Sequence, residues 1–217
     1  MTTEEQLVEL PEIETKERIL AAALKIFGEK GYHPTTMAEI AEAANVGKGT
    51  LYWYFSSKED LFSGIIEQLI QTINLKLRSV LEANEHPFPE LLLTFTKVFL
   101  DYSYNQRQLS RIFMGGGPLG LSNELRDRMF SWHREFLEIN IELIQRGLKE
   151  GFFSPSLEVE KVVTAFTGLL FAFGGRQFME ENWNQVDAEA VFIRDLIIQG
   201  ITQQEKSREG CDGEENQ

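Results

Sequence analysis

Thr36-Met-Ala-Glu-Ile-Ala-Glu-Ala-Ala-Asn-Val-Gly-Lys-Gly-Thr-Leu-Tyr-Trp-Tyr-Phe55 decides the fold. Thr36 and Glu39 make a capping-box pair, and Ile40, Ala41 and Ala44 follow as the buried stripe of a short helix. Asn45 tolerates a left-handed backbone and Gly47 frees the restart of a second helix. The expected unit is a helix-turn-helix. Each residue turns about 100° around a helix axis. With Leu51 and Phe55 inward, Gly49 and Trp53 face out, Thr50 and Tyr54 lie along one flank, Tyr52 lies along the other, and Lys48 projects from the helix start. A major groove admits such a helix N-terminus. A lysine there donates to guanine O6 and N7, free backbone amides meet phosphate, and a glycine lets the backbone come close.

The alternative is that these aromatics only pack a small domain. Working outward decides against it. Upstream stands Thr15-Lys-Glu-Arg-Ile-Leu-Ala-Ala-Ala-Leu-Lys-Ile-Phe27, a helix, then Glu29-Lys-Gly-Tyr32; downstream stands Ser56-Ser-Lys-Glu-Asp-Leu-Phe62. From about Thr15 to Ile70 the pattern resembles the N-terminal domain of the TetR family of bacterial transcription regulators, most specifically in Gly-Thr-Leu-Tyr-Trp-Tyr-Phe followed by Lys58-Glu59. Asn45 departs from it, standing where the family usually carries Gly, and is the next-best residue for that backbone. The resemblance implies an all-α protein: a three-helix helix-turn-helix DNA-binding domain plus a larger helical domain for ligand binding and dimerisation. It implies operator DNA as partner, with Thr36, Gly47, Lys48, Gly49, Thr50, Tyr52, Trp53, Tyr54 and Lys58 as the DNA-binding set and Lys58 as a phosphate contact.

The net charge of −13 over 217 residues argues against a protein that coats nucleic acid or membrane by charge alone. Between Lys16 and Lys58, however, six basic residues (Lys16, Arg18, Lys25, Lys30, Lys48, Lys58) face four acidic ones (Glu17, Glu29, Glu39, Glu42). An acidic remainder suppresses non-specific binding and confines DNA contact to one end. The single cysteine, Cys211, sits in a polar tail, which suits a reducing cytoplasm. The opening Met-Thr-Thr-Glu-Glu-Gln lacks a signal-peptide pattern, and the run Val162–Phe173 is too short for a membrane span. The expectation is a cytoplasmic protein without membrane contact.

Ser56 and Glu59 make a second capping box, and Leu61, Phe62, Ile65, Ile66, Leu69, Ile70, Ile73, Leu77, Val80 and Leu81 keep helical spacing to about Ala83, before His86-Pro-Phe-Pro89. Such a helix spans nearly 40 Å at about 1.5 Å per residue, enough to connect two domains. Further helices are expected over Leu91–Tyr102, in a short segment Leu109–Met114, over Leu125–Leu148 with Gly151 as stop, around Leu157–Met179, and from Asp187 to Gln203. The predicted organisation is a flexible segment 1–13, a DNA-binding domain 14–57, a ligand-binding and dimerisation domain 58–203 and an acidic tail 204–217.

The helix Val162–Phe173 is apolar on most sides and must be buried on most sides. With Val191, Leu196, Ile197 and Ile201 it forms either half of a four-helix homodimer interface, with Gly168 and Ala172 allowing close approach, or the core of a monomer. Phe95, Phe99, Tyr102, Phe113, Met129, Trp132, Phe136, Phe166, Leu170 and Phe173 recur at helical spacing, with His133 as a polar companion. They are core residues or the lining of a site for a small, mainly apolar effector. Asp101 is a second polar candidate. No phosphate loop, His-x-x-x-His pair or Gly-x-Ser-x-Gly is present, so no enzyme and no cofactor is expected. Three functions remain: a ligand-released repressor on a palindromic operator, a DNA-tethered protein that binds another protein, and a small-molecule carrier.

Overall fold

The computed structural model describes residues 5–83, 85–106, 123–176 and 185–209. Those residues are all-α: α1 (Glu5–Lys30), α2 (Met37–Ala43), α3 (Lys48–Tyr54), α4 (Lys58–Ala83), α5 (Phe88–Asn105), α6 (Asn123–Lys149), α7 (Val159–Arg176) and α8 (Val186–Glu209). Two ends differ from the sequence expectation. Helix α1 begins at Glu5, within the stretch expected to be a flexible leader, and runs through Pro11. Helix α8 runs past residue 203 to Glu209, through the good helix formers Gln203, Gln204, Glu205 and Lys206. The segment Leu109–Met114, the run Gly115–Gly120 and Cys211 lie outside the described residues.

The chain divides into two compact units, residues 1–71 with 106–130, and 72–105 with 131–217. The division between the units falls inside α4. In the first unit, Ile19, Leu20, Ala23 and Phe27 of α1 are buried with Ile40, Ala41 and Ala44, with Leu51 and Phe55, and with Leu61, Phe62, Ile65 and Ile66 of α4. The first turns of α4 therefore complete the small domain's core, which the three preceding helices alone do not close. Rings tie it together: Phe27 to Tyr32 at 5.3 Å, Tyr32 to Phe62 at 5.3 Å, Phe27 to Phe62 at 6.2 Å. Gly64 makes the close approach possible, since a Cβ there would stand 2.8 Å from the Phe55 ring and 3.3 Å from Leu20.

The second unit has its own core. Helix α5 packs on α7 and α8, burying Leu91, Leu92, Phe95, Phe99 and Leu100 with Phe166 and Leu170 of α7, and with Ala190, Ile193 and Ile197 of α8. Phe136, Ile139, Leu143 and Ile144 of α6 and Ile73 and Leu77 of α4 belong to the same cluster. The proline loop is fastened to the end of α6. The Phe88 amide donates to Glu150 Oε2 at 2.7 Å, and Arg146 donates to the His86 carbonyl at 2.9 Å and to Glu150 Oε1 at 2.8 Å.

Candidate nucleic-acid interface

Helix α2 starts on the capping box read from sequence. The Glu39 amide donates to Thr36 Oγ1 at 3.3 Å, and the Thr36 amide donates to Glu39 Oε2 at 2.8 Å. Lys30 Nζ holds the other Glu39 oxygen at 2.8 Å. The Lys30 hydrogen bond first, and the Thr36 backbone and side-chain hydrogen bonds after it, lower the Glu39 carboxyl to a pKa of about 2. At the other end Asn45 adopts φ 52°, the left-handed region. The Val46 amide reaches back to the Ala41 carbonyl at 2.9 Å and the Asn45 amide to Glu42 at 3.0 Å, a Schellman closure. The turn between the helices is thereby set by backbone hydrogen bonds rather than by bulk.

Helix α3 then restarts from Gly47, which is exposed and offers no side-chain cap. Its amides stay open at the N-terminus, the end that favours an anion. Leu51 is fully buried and Phe55 nearly so, which aims the opposite face outward: Lys48, Gly49 and Thr50 are exposed, as are Tyr52 and Trp53, the latter at 68%. Tyr54 is half-buried, with the Trp53 ring edge-on to it at 4.6 Å. A Cβ at Gly49 would meet nothing within 4 Å, so the protein's own packing does not demand a glycine there. Thr36 is exposed but engaged with Glu39.

Lys58 is engaged with the chain's own backbone. Its ammonium donates to the carbonyls of Tyr32, His33 and Thr35 at 2.9, 3.0 and 3.0 Å, and lies 4.5 Å from the centre of the Tyr32 ring. All three of its donors are directed inward, and burial lowers its pKa. Lys58 clips the loop before α2 to the start of α4. Sequence spacing does not reveal this, because the carbonyls it caps are more than twenty residues away.

Residues 19–65 match the profile of bacterial regulatory proteins of the tetR family. HTH-type transcriptional regulator YhgD of Bacillus subtilis (strain 168) is 31% identical over 157 residues, 72% of this chain and 80% of that one. The chain belongs to the tetR family of transcriptional regulators. Two solved structures share the fold: the fatty acid degradation regulator FadR from Bacillus halodurans (TM-score 0.75, 23% identity, 86% of this chain and 96% of that one) and FadR from Bacillus subtilis in complex with stearoyl-CoA (TM-score 0.72, 21% identity, 85% and 98%).

In the second unit of this TetR-family chain, Phe95, Phe99, Phe136, Phe166 and Leu170 are buried, Tyr102 and Phe173 are half-buried and His133 is exposed. The Phe99 ring lies 5.7 Å from Phe136, and the half-exposed Phe171 ring stands 5.6 Å from each. Burial first of all raises the Tyr102 phenol to a pKa of about 12, against a hydrogen bond with Thr72 that lowers it. His133 stacks on Phe136 at 6.5 Å. Asp101 is exposed. Phe113 and the side chains of Met129 and Trp132 lie outside the described residues. Among the described residues no group of three or more His, Cys, Asp or Glu could hold a metal ion, and no helix is long and apolar enough to cross a membrane.

Two features escaped the sequence reading. Arg128 at the start of α6 pairs with Glu67 at 2.8 Å and Asp60 at 4.0 Å on α4. Asp60 also accepts from the amide and hydroxyl of Ser56, two residues before α4, so α6 is tied beside the end of α3. Asn74 and Asn140 are the second: both are buried inside apolar stripes. Their signal was present in the sequence, an asparagine at i+4 from Ile70 and another at i+4 from Phe136 where the helix period calls for an apolar residue.

Proposed function

We propose that the protein is a ligand-responsive repressor that binds a palindromic operator as a homodimer in the cytoplasm and is released by a small, mainly apolar effector. The observation that carries the reading is the two-sided α3, with Leu51 and Phe55 anchored inside and Lys48, Gly49, Thr50, Tyr52 and Trp53 bare outside. Lys48 reads bases, Gly49 admits the backbone to the groove, Gly47 and the open α3 amides meet phosphate, and Thr36, Thr50, Tyr52, Trp53 and Tyr54 line the contact. Residues 14–57 form the reading head, completed by the first turns of α4.

The second unit supplies the dimer and the effector compartment. Phe171 of α7 and Phe192 and Leu196 of α8 are exposed, and a Cβ at Gly168 or Gly200 would meet nothing within the chain. An apolar, small-residue face of this kind suits a second copy of the same helices. Leu196 is one of the expected residues on that face, Phe192 joins it there, and Ile197 turns into the core. The effector compartment is the aromatic region around Phe95, Phe99, Tyr102, Phe136, Phe166, Leu170 and Phe173. A protein of the same fold has been solved in complex with stearoyl-CoA, which supports an effector with an apolar body.

Selection of bound duplexes from random DNA tests the whole reading. The expected product is a two-fold symmetric site, and Lys48→Ala lowers affinity for it by about 1–3 kcal/mol while leaving random DNA nearly unaffected. Equal loss on both would refute base reading by Lys48. An effector that loosens the operator must be loosened by the operator to the same factor.

A further inference from the structure

The second unit buries three side-chain polar atoms that have no hydrogen-bond partner: Nδ2 and Oδ1 of Asn74, and Oδ1 of Asn140. Asn140 uses its Nδ2 to donate to the Phe136 carbonyl at 2.7 Å, so its free atom is unambiguously the carbonyl oxygen. In Asn74 both ends are free, and the inventory does not depend on which way the amide is turned. Leaving a buried amide group unpaired costs about 1–3 kcal/mol. An apolar residue at either position would avoid that cost.

Both asparagines are buried on helices that contribute to one apolar cluster. Asn74 stands between Ile73 and Leu77 of that cluster on α4, and Asn140 between Ile139 and Leu143 on α6. Phe99 lies one turn before Tyr102, its ring 5.7 Å from that of Phe136, and Asn140 lies one turn beyond Phe136. The amides therefore border the same aromatic stretch from α4 and from α6. The half-exposed Phe171 ring stands 5.6 Å from both Phe99 and Phe136 at the edge of this stretch.

We infer that Asn74 and Asn140 are the polar anchors of the effector compartment and select an apolar molecule bearing one uncharged group that both donates and accepts, an alcohol or an amide. The inference rests on the effector reading above and adds the head-group chemistry. Two free carbonyl oxygens and one free NH2 call for at least one donor from the ligand, which neither an ester nor an ionised carboxylate carries. The buried charged side chain described in this unit is the carboxylate Glu189, held by Arg176 at 3.2 Å, and its sign disfavours a second anion.

The test is calorimetric titration of the full-length protein with four probes of equal chain length, each below its micellar concentration: decan-1-ol, decanamide, methyl decanoate and decanoate. The alcohol and the amide are expected to bind at least about tenfold tighter than the ester and the carboxylate, since a site built to hydrogen-bond rejects analogues that leave its groups unpaired. In Asn74→Leu/Asn140→Leu that preference disappears while methyl decanoate still binds. Equal binding of all four by the wild type overturns the head-group assignment and leaves the apolar compartment standing. Binding of none sinks the compartment and the assignment with it. A measurement without ligand stands beside these: ligand-free Asn74→Leu melts at or above the wild type, because it removes unpaired buried atoms. A clear drop in its melting temperature would show that Asn74 serves the fold, and would overturn the assignment.

Discussion

At the scale of single residues, the region around α2 uses charge to hold backbone. Lys58 is the case with the largest consequence. Its ammonium satisfies three carbonyls of the loop between α1 and α2, so Lys58→Ala is expected to lower stability by about 1–3 kcal/mol, measured by denaturant unfolding. It should also weaken DNA binding only as far as the head loosens. A loss of one unit in the salt slope without any loss of stability would return Lys58 to the phosphate-contact role. Glu39 gives a second prediction, in pH. Its carboxyl is lowered from 4.5 to about 2, so its contribution to the α2 start is fully present above about pH 4.5 and is lost as pH falls through 2. A carboxyl titration followed by NMR should show that low midpoint, and Lys30→Ala should raise it.

At the scale of elements, the close contact of α4 with α3 depends on a residue with no side chain. Alanine at Gly64 places its Cβ 2.8 Å from the buried Phe55 ring and 3.3 Å from Leu20. Gly64→Ala should cost about 1–3 kcal/mol of overpacking, visible as an earlier thermal transition. Gly49 is the contrasting case. Alanine there meets nothing within the protein, so Gly49→Ala should melt with the wild type or slightly above it, helix propensity favouring alanine. Its effect belongs to the DNA complex, where the added methyl stands between the helix backbone and the groove. A variant with unchanged operator affinity would show that α3 does not approach so closely. The pair of substitutions thus separates a glycine kept for the fold from one kept for the ligand.

At the scale of the whole molecule, the exposed face of α7 and α8 makes the oligomeric state the prediction. Sedimentation at micromolar concentration should give about twice the 24.9 kDa chain mass. Phe192→Glu/Leu196→Glu should give the chain mass with helical content unchanged, since both side chains are exposed within the single chain. A wild-type monomer would remove the two-fold operator from the proposal. A dimer that survives the double substitution would move the interface elsewhere.

The helix-turn-helix was legible in the residues because its determinants are local. The Thr36–Glu39 cap, the left-handed Asn45 and the inward Leu51 and Phe55 all act within one or two helical turns, and so leave a pattern in adjacent sequence. The all-α character was legible for the same reason, since helical periodicity is a short-range signal. What tertiary structure decided lies between distant segments. The chain alone did not tell that α4 belongs to two cores, that Lys58 turns back to carbonyls of the preceding loop, that Arg128 reaches Asp60 and Glu67, or that Ile197 faces in while Phe192 and Leu196 face out. A side chain's partner, unlike its helix period, depends on which elements the fold brings beside it, and an ammonium has the same sequence signature whether it faces a phosphate or the protein's own backbone.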